Sequence, residues 1–185
     1  MNFDIETERL RLRSPRAEDA PRVTELIGDW DVVNMLGRAP WPYQLSDAEN
    51  WIARMGVARD EGTEYAFLAE HADDGVVAAS GLHLVDKDRA IWEIGYWVGK
   101  PYWGRGFVTE AARGVLDWAT KEAGISAFVS GHIVDNPASG RVLEKLGFEV
   151  AGELTMYVRG RDCDVSAIRY VKGAPVDAAL QAAAH

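Results

Sequence analysis

The segment that decides the fold is Gly99-Lys100-Pro101-Tyr102-Trp103-Gly104-Arg105-Gly106-Phe107-Val108-Thr109-Glu110-Ala111, between a strand-like apolar run and a helix-like run. A glycine-rich turn at such a junction leaves backbone N–H groups unpaired at the helix N-terminus, where the helix dipole also favours an anion. Glycine at positions 104 and 106 removes the Cβ atoms that would hold a ligand away from these amides. Lys100 and Arg105 add positive charge, and arginine can bind a phosphate through two hydrogen bonds. The segment therefore predicts a phosphate-bearing ligand.

The composition narrows the class of protein. The chain has 185 residues, a formal net charge of −9 and a single cysteine, Cys163. This length fits one domain, and an acidic chain lacks the clustered cations that bind a nucleic-acid backbone. No apolar run approaches the roughly 20 residues of a membrane span, no signal-peptide pattern is visible, and one cysteine argues against a disulfide or a zinc cluster. We therefore expect a cytoplasmic protein that binds no metal, nucleic acid or membrane.

The first third of the chain predicts a strand followed by two helices. Period-two alternation indicates a strand over Thr7–Arg13, with Leu10 and Leu12 on the inner face and the arginines, Arg13 included, on the outer face. The first helix is expected to begin with Ser14 as N-cap and Pro15 as its first residue. The second is expected over Ser46–Arg59, with a capping box formed by Ser46 and Glu49.

The rest of the chain predicts three strands joined by polar turns, a central helix, a strand, a second helix and two strands. These elements are predicted over Glu64–Glu70, Val76–Val85, Ala90–Val98, Gly106–Ala123, Ala127–Val134, Asn136–Leu146, Phe148–Leu154 and Val165–Tyr170. The polar turns favour an antiparallel meander, and the order indicates a mixed sheet rather than a βαβ repeat. We expect one domain over residues 1–175 and a disordered alanine-rich tail over residues 176–185.

Two common nucleotide-binding motifs do not fit the glycine-rich segment. The dinucleotide fingerprint would need a third glycine where this chain has Thr109, and the Walker A motif would need Gly-Lys followed by Ser or Thr. Three spaced motifs instead resemble the GNAT superfamily of acyl-CoA-dependent N-acetyltransferases, within it the RimJ/RimL-like group that includes ribosomal-protein N-terminal acetyltransferases. They are Glu6–Arg13, Glu93–Val98 together with Tyr102–Ala111, and Asn136–Phe148.

The resemblance implies a single α/β (α+β) domain with a mixed, mostly antiparallel sheet flanked by helices. Acetyl-CoA would lie between two splayed strands, Ala90–Val98 and Ala127–Val134, and its pantetheine arm would pair with backbone groups of Tyr96, Trp97 and Val98. Pro101 stands where the superfamily motif has Gln or Arg, and proline has no N–H to donate. The pyrophosphate contacts are therefore expected from Tyr102, Trp103, Gly104, Arg105, Gly106 and Phe107. Asn136 is predicted to be the N-cap of the following helix, and the resemblance implies that its amide also contacts the pantetheine arm or the acceptor.

Glu93 and Ser139 are the predicted catalytic residues. Glu93 shares a strand face with Ile91, Gly95 and Trp97, where a carboxylate can act as a base, although it can equally pair with an arginine of the sheet. Ser139 lies three residues after Asn136, and the resemblance implies that it contacts acetyl-CoA near the thioester and protonates the leaving thiolate. The alternative is an ordinary serine in the first turn of a helix. His132 and His83 remain as other candidate bases.

The resemblance implies transfer of an acetyl group from acetyl-CoA to a primary amine in a ternary complex. The acceptor is expected to be a protein N-terminus or a small molecule, and a homodimer is a reasonable assembly. The alternative is a non-catalytic acyl-CoA-binding module on the same scaffold, because a fold does not by itself fix a function.

Overall fold

The computed structural model describes residues 1–176. The strands are β1 (Asp4–Glu6), β2 (Leu10–Arg13), β3 (Glu64–His71), β4 (Gly75–Asp86), β5 (Ile91–Val98), β6 (Ala127–Ile133), β7 (Glu149–Val158) and β8 (Cys163–Lys172). The helices are α1 (Ala20–Ile27), α2 (Trp30–Val33), α3 (Leu45–Glu61), α4 (Phe107–Glu122) and α5 (Pro137–Lys145). Apart from Val176, the predicted tail lies outside the described residues. No helix within residues 1–176 is long and apolar enough to cross a membrane.

The strands form one sheet in the order β1-β2-β3-β4-β5-β6-β8-β7. All neighbouring strands described are antiparallel except β5 and β6, which run parallel. One side of the sheet, here called the α4 face, packs against α4 and α5. The other side, the α3 face, packs against α1 and α3. The predicted mixed, mostly antiparallel sheet flanked by helices is confirmed.

The pairing between β5 and β6 stops halfway along the strands. Residues 91–93 pair with residues 127–129, and the last pair is Glu93 with Val129. One residue further on, the buried Ser130 hydroxyl donates to the Ile94 carbonyl at 2.9 Å, so a side chain takes the place of a ladder amide. Beyond this point no strand within residues 1–176 pairs with β5 on its β6 side. We call this opening the splayed gap.

Helix α4 is held against the sheet by one apolar stripe. Phe107, Ala111, Val115 and Trp118 are buried at helical spacing, and the Trp118 ring meets Phe67 of β3 with ring centres 5.0 Å apart. Residues 99–106 connect β5 to α4, so this packing places the N-terminus of α4 next to the end of β5.

Both predicted N-caps are wrong, and in both places an aspartate at the third position accepts from the backbone amide of the N-cap residue. A 3₁₀ turn at Ala17–Asp19 precedes α1, and the Asp19 side chain accepts from the Arg16 amide at 2.8 Å, so Ser14 is not the cap. Helix α3 begins at Leu45, because the Gln44 amide donates to Asp47 Oδ2 at 2.9 Å rather than Ser46 pairing with Glu49.

Arg13 is also not on an exposed face. Only 6% of its surface is accessible, and its guanidinium makes two hydrogen bonds of 2.8 Å to the buried carboxylate of Asp19. Strand alternation placed Arg13 opposite Leu12, but the chain turns back over it at residues 17–19. A buried charge needs a partner, and Asp19 supplies it.

Candidate active site

The loop at the N-terminus of α4 has the conformation that an anion site requires. Gly104 and Gly106 have φ angles of 76° and 81°, in the left-handed region that disfavours a residue with a Cβ. The first bond of the helix runs from the Glu110 amide to the Gly106 carbonyl, at 3.1 Å. The amides of residues 107–109 therefore have no carbonyl acceptor within the helix and point out of its N-terminal end. We call Gly104–Phe107 the anion loop.

Two arginines give the anion loop its positive charge. The Arg105 and Arg9 guanidinium groups lie 4.5 and 4.9 Å from the centre of the Phe107 ring, and Arg9 Nη1 donates to the Arg105 carbonyl at 2.9 Å. Arg105 also donates to Asp74 at 3.1 Å. Arg9 belongs to the segment before β2 and nothing in its local sequence indicates this position. The Phe107 side chain is buried, so its backbone amide is the group that can face a ligand.

Pro101 is accommodated by a 3₁₀ turn over Lys100–Tyr102. The Tyr102 amide donates to the Gly99 carbonyl at 2.9 Å and the Trp103 amide to the Lys100 carbonyl at 3.2 Å, so Pro101 occupies a position where no amide is required. The Lys100 ammonium lies 2.6 Å from Asp31 of α2 and points away from the anion loop. The cationic side chains at this loop are therefore Arg9, which also pairs with Glu110 at 2.6 Å, and Arg105 with its partner Asp74.

The edge of β5 presents alternate residues to the splayed gap. The Gly99 amide bonds to the β4 carbonyl of Val77, and the Ile94 carbonyl turns to the other side, toward β6. Because backbone groups alternate along a strand, those of Tyr96 and Val98 face the gap and those of Trp97 face β4. The Trp103 indole N–H donates to the Val98 carbonyl at 3.0 Å, so this carbonyl already has a partner. The groups open to a ligand are the Tyr96 amide and carbonyl and the Val98 amide.

The opposite side of the gap is formed by the N-terminus of α5. Asn136 is its N-cap, with Oδ1 accepting from the Ser139 amide at 3.2 Å, which confirms its predicted capping position. The Tyr96 hydroxyl lies 3.0 Å from Ser139 Oγ and 3.1 Å from the Ser139 carbonyl. Burial raises the pKa of Tyr96 to about 12, although the Ser139 hydrogen bond opposes this. The resemblance implied backbone contacts for Tyr96, whereas no pattern in the sequence indicates this hydroxyl pair.

Glu93 lies on the α3 face where the gap begins. Its Oε1 accepts from Arg169 Nη1 at 2.5 Å, and Arg38 Nη2 is 3.8 Å from its Oε2. The arginine pairing that the sequence analysis left open is therefore present, and the base role of Glu93 stays a prediction. A Cβ added to Gly95, the next residue on this face, would meet no heavy atom of the described residues within 4 Å. Open space therefore lies beside Glu93, at the edge of the gap.

The two candidate histidines lie on opposite faces. His132 packs against α5, where a Cβ on Gly140 would be 2.7 Å from its Nε2, and its Nδ1 lies 2.8 Å from the Ile133 carbonyl. His83 lies on the α3 face, with Nδ1 2.8 Å from Glu64 Oε1. The α3 face therefore holds two of the candidate bases, Glu93 and His83.

The loop before α3 and the β7–β8 turn enclose the α3 face near the gap. The Arg159 amide donates to the Gly37 carbonyl at 3.0 Å, and Arg161 Nε donates to the Asn34 carbonyl at 2.8 Å. These bonds hold residues 34–37 against a hairpin that is far away in sequence. An acceptor that approaches the gap from this face must pass these two segments.

An open-edged sheet, an anion loop after its central strand and a capped helix across a splayed gap define an acetyltransferase of the GNAT type. The family model for the acetyltransferase (GNAT) domain matches residues 9–149 of this chain. The chain belongs to this family and is an acyl-CoA-dependent acetyltransferase with acetyl-CoA as its co-substrate. The resemblance found in the sequence is confirmed.

Similar proteins agree with this assignment. The uncharacterized N-acetyltransferase p20 of Bacillus licheniformis is 28% identical over 163 residues, 86% of this chain and 90% of p20. The ribosomal protein uS5-alanine N-acetyltransferase of Escherichia coli (strain K12) is 23% identical over 163 residues, 83% of this chain and 82% of that enzyme. Among solved structures, the ribosomal-protein-S5-alanine acetyltransferase from Vibrio fischeri superposes with a TM-score of 0.80 at 16% identity, covering 92% of this chain and 96% of that one. That likeness shows the shared fold.

Proposed function

We propose that this protein acetylates the α-amine at the N-terminus of a protein, by direct transfer from acetyl-CoA in a ternary complex. The observation that carries the proposal is the splayed gap, which has an open strand edge on one side, the N-terminus of α5 on the other and the anion loop at its end. The similarity to an alanine N-acetyltransferase of ribosomal protein uS5 supports a protein amine as the acceptor.

The donor would be held along its whole length by this arrangement. The anion loop, from Gly104 to Phe107, offers amides and the Arg105 guanidinium to the pyrophosphate. The free Tyr96 and Val98 groups would pair with the amides of the pantetheine arm as an added strand does. Asn136 at the start of α5 would contact the arm from the other side of the gap. The thioester would then lie beside the hydroxyl pair of Tyr96 and Ser139.

Ser139 and Tyr96 form the pair that would protonate the leaving thiolate. Their hydroxyl oxygens are 3.0 Å apart, so one can donate to the sulfur while the other replaces the proton. Burial raises the pKa of Tyr96 to about 12, which keeps its proton available at neutral pH. General acid catalysis of this kind contributes about 10²- to 10⁴-fold.

The experiment measures acceptor-dependent release of the CoA thiol with a short peptide that begins with alanine. The same peptide with a blocked N-terminus is the control, and a polyamine tests the small-molecule alternative. We expect thiol release and a mass increase of one acetyl group with the free peptide alone. Transfer to the polyamine but not to the peptide would overturn the choice of acceptor. Acetyl-CoA binding with no transfer to any amine would favour the non-catalytic module.

Ser139→Ala tests the assignment of the leaving-group acid. We expect kcat to fall by at least about tenfold while acetyl-CoA affinity changes little. Ser46→Ala is the matched control, since Ser46 is also a first-turn helical serine but is exposed on α3. Full turnover of Ser139→Ala would remove Ser139 from the chemistry.

A cytoplasmic site of action and a homodimer are also part of the proposal.

A further inference from the structure

A row of charged side chains crosses the α3 face beside the splayed gap. Glu64 of β3 pairs in register with His83 of β4, and His83 pairs with Glu93 of β5, so the three side chains lie next to one another on one face. Arg38 bridges the two carboxylates from the loop before α3, at 3.5 Å from Glu64 and 3.8 Å from Glu93. Arg54 of α3 binds Glu64 at 2.9 Å.

The position of Glu64 determines how His83 can act. His83 Nδ1 is buried and lies 2.8 Å from Glu64 Oε1, a close polar contact without the alignment of a full hydrogen bond. Burial alone would raise the pKa of Glu64, but the contact with His83 and the charge of Arg54 outweigh it and lower the pKa overall. A carboxylate at this distance favours a proton on Nδ1, which leaves the lone pair on Nε2. Since 36% of the side chain is exposed and Nδ1 is buried, the accessible edge carries Nε2.

His83 also lies close to the place where an acceptor would react. Glu93, its neighbour on β5, is the last residue paired with β6, and the open space over Gly95 follows on the same face. Strands are about 4.8 Å apart, so the His83 ring lies one strand away from the edge of the gap. An amine that enters the gap from the α3 face passes Glu93, and the His83 ring stands beside Glu93 on the next strand.

We propose that His83 is the base of the reaction, with Glu64 as its positioning residue and with Glu93, fixed by Arg169, binding the acceptor ammonium. This inference rests on the proposed function. His83 Nε2 takes a proton from the ammonium, and the neutral amine then attacks the thioester carbonyl. The C–N bond forms, the attacking nitrogen loses its second proton to solvent, and the C–S bond breaks. The thiolate leaves with a proton from the Ser139–Tyr96 pair, which solvent replaces, and the imidazolium returns its proton to solvent through its exposed edge. Among residues 1–176, the charged groups that face this site are Glu64, Glu93, Arg38, Arg54 and Arg169.

The test compares the pH profile of kcat/KM for the wild-type protein and His83→Gln, with the alanine peptide as acceptor. Ionisation of the peptide affects both proteins equally, so the ratio of variant to wild type reports the enzyme. We expect His83→Gln to lose about 10²-fold or more at pH 8, and the ratio to move toward one as the pH falls through the range where histidine is protonated. A ratio that stays constant with pH would overturn the assignment.

Three further variants complete the experiment. Glu64→Gln should change the tautomer of His83 seen in imidazole ¹⁵N shifts, a measurement that needs no activity. Glu93→Gln should raise KM more than it lowers kcat. If this variant instead no longer shows the fall of kcat/KM at low pH, Glu93 is the base. His132→Gln removes an imidazole from the opposite face and should still show the fall of kcat/KM at low pH. Acetyl-CoA binding by each variant shows that it is folded.

No transfer by the wild-type protein overturns the proposed function itself. Transfer with a pH-independent ratio of variant to wild type overturns only the role of His83.

Discussion

At the scale of single residues, the anion loop depends on two left-handed glycines. Gly106→Ala should lower the free energy of unfolding by about 1–2 kcal/mol, because φ is 81° and a Cβ is disfavoured there. It should also weaken acetyl-CoA binding, since the new methyl group lies at the amides that face the ligand. Urea unfolding and titration calorimetry measure the two effects.

Gly56→Ala is the matched control for that substitution. Gly56 lies inside α3, and a Cβ there would meet no heavy atom within 4 Å. Alanine should therefore stabilise the protein by up to about 1 kcal/mol and leave acetyl-CoA affinity unchanged. Equal effects of the two substitutions on affinity would contradict the assignment of the loop.

The buried pair of Arg13 and Asp19 makes stability depend on pH. Burial raises the pKa of Asp19, but hydrogen bonds from Arg13 and the Arg16 amide outweigh it, so the pKa lies below its ordinary value. The stabilisation is then present above about pH 4, where an unfolded aspartate is ionised, and is lost as the pH falls through the lower folded value. Asp19→Asn should cost about 3 kcal/mol at pH 7, and the difference from wild type should narrow at pH 3.

Asp60→Asn serves as the surface comparison for Asp19→Asn. The Asp60 side chain is 74% exposed in its ion pair with Arg59, so its loss should change the free energy of unfolding by less than about 0.5 kcal/mol. Unfolding in urea at both pH values tests the pair. A difference between wild type and Asp19→Asn that does not depend on pH would rule out the ion pair as its source.

At the scale of secondary-structure elements, the splayed gap depends on one side chain at the point where β5 and β6 part. Ser130→Ala would leave the Ile94 carbonyl without its hydroxyl donor in a buried position. We expect the free energy of unfolding to fall by about 1–3 kcal/mol, which is the cost of a buried polar group without a partner. Ser126→Ala, at an exposed serine before β6, should have almost no effect. Equal stability of the two variants in urea would show that the Ser130 bond does not hold the strands at this point.

At the scale of the whole molecule, acetyl-CoA should bind only the folded protein, because its site joins β5, the anion loop and α5. At a hundredfold excess over its Kd, such a ligand adds about 2.7 kcal/mol to the free energy of unfolding. For a chain of this size we expect the midpoint of thermal unfolding to rise by about 5–10 °C. ADP, which shares the adenosine and pyrophosphate, should give a smaller rise. An equal rise with ADP would contradict the predicted contacts of the pantetheine arm.

The sequence by itself determined the features that depend on neighbouring residues. The glycines of the anion loop, the cap at Asn136 and the order of strands and helices follow from backbone preferences and hydrophobic periodicity over a few positions. These features, together with three motifs in the correct order, were enough to identify the family. The helix starts were less predictable, because Ser14 and Ser46 are good caps that competed with Asp19 and Asp47.

Only the tertiary structure decided which side chains meet. Arg9 lies beside the anion loop, Tyr96 contacts Ser139 and Glu93 pairs with Arg169, and each of these contacts joins residues more than 40 positions apart. No local pattern encodes such contacts, because they depend on which strands become neighbours and where the chain crosses the sheet. The chemistry proposed for the α3 face belongs to this second group, since β3, β4 and β5 bring Glu64, His83 and Glu93 into one row only after the sheet has formed.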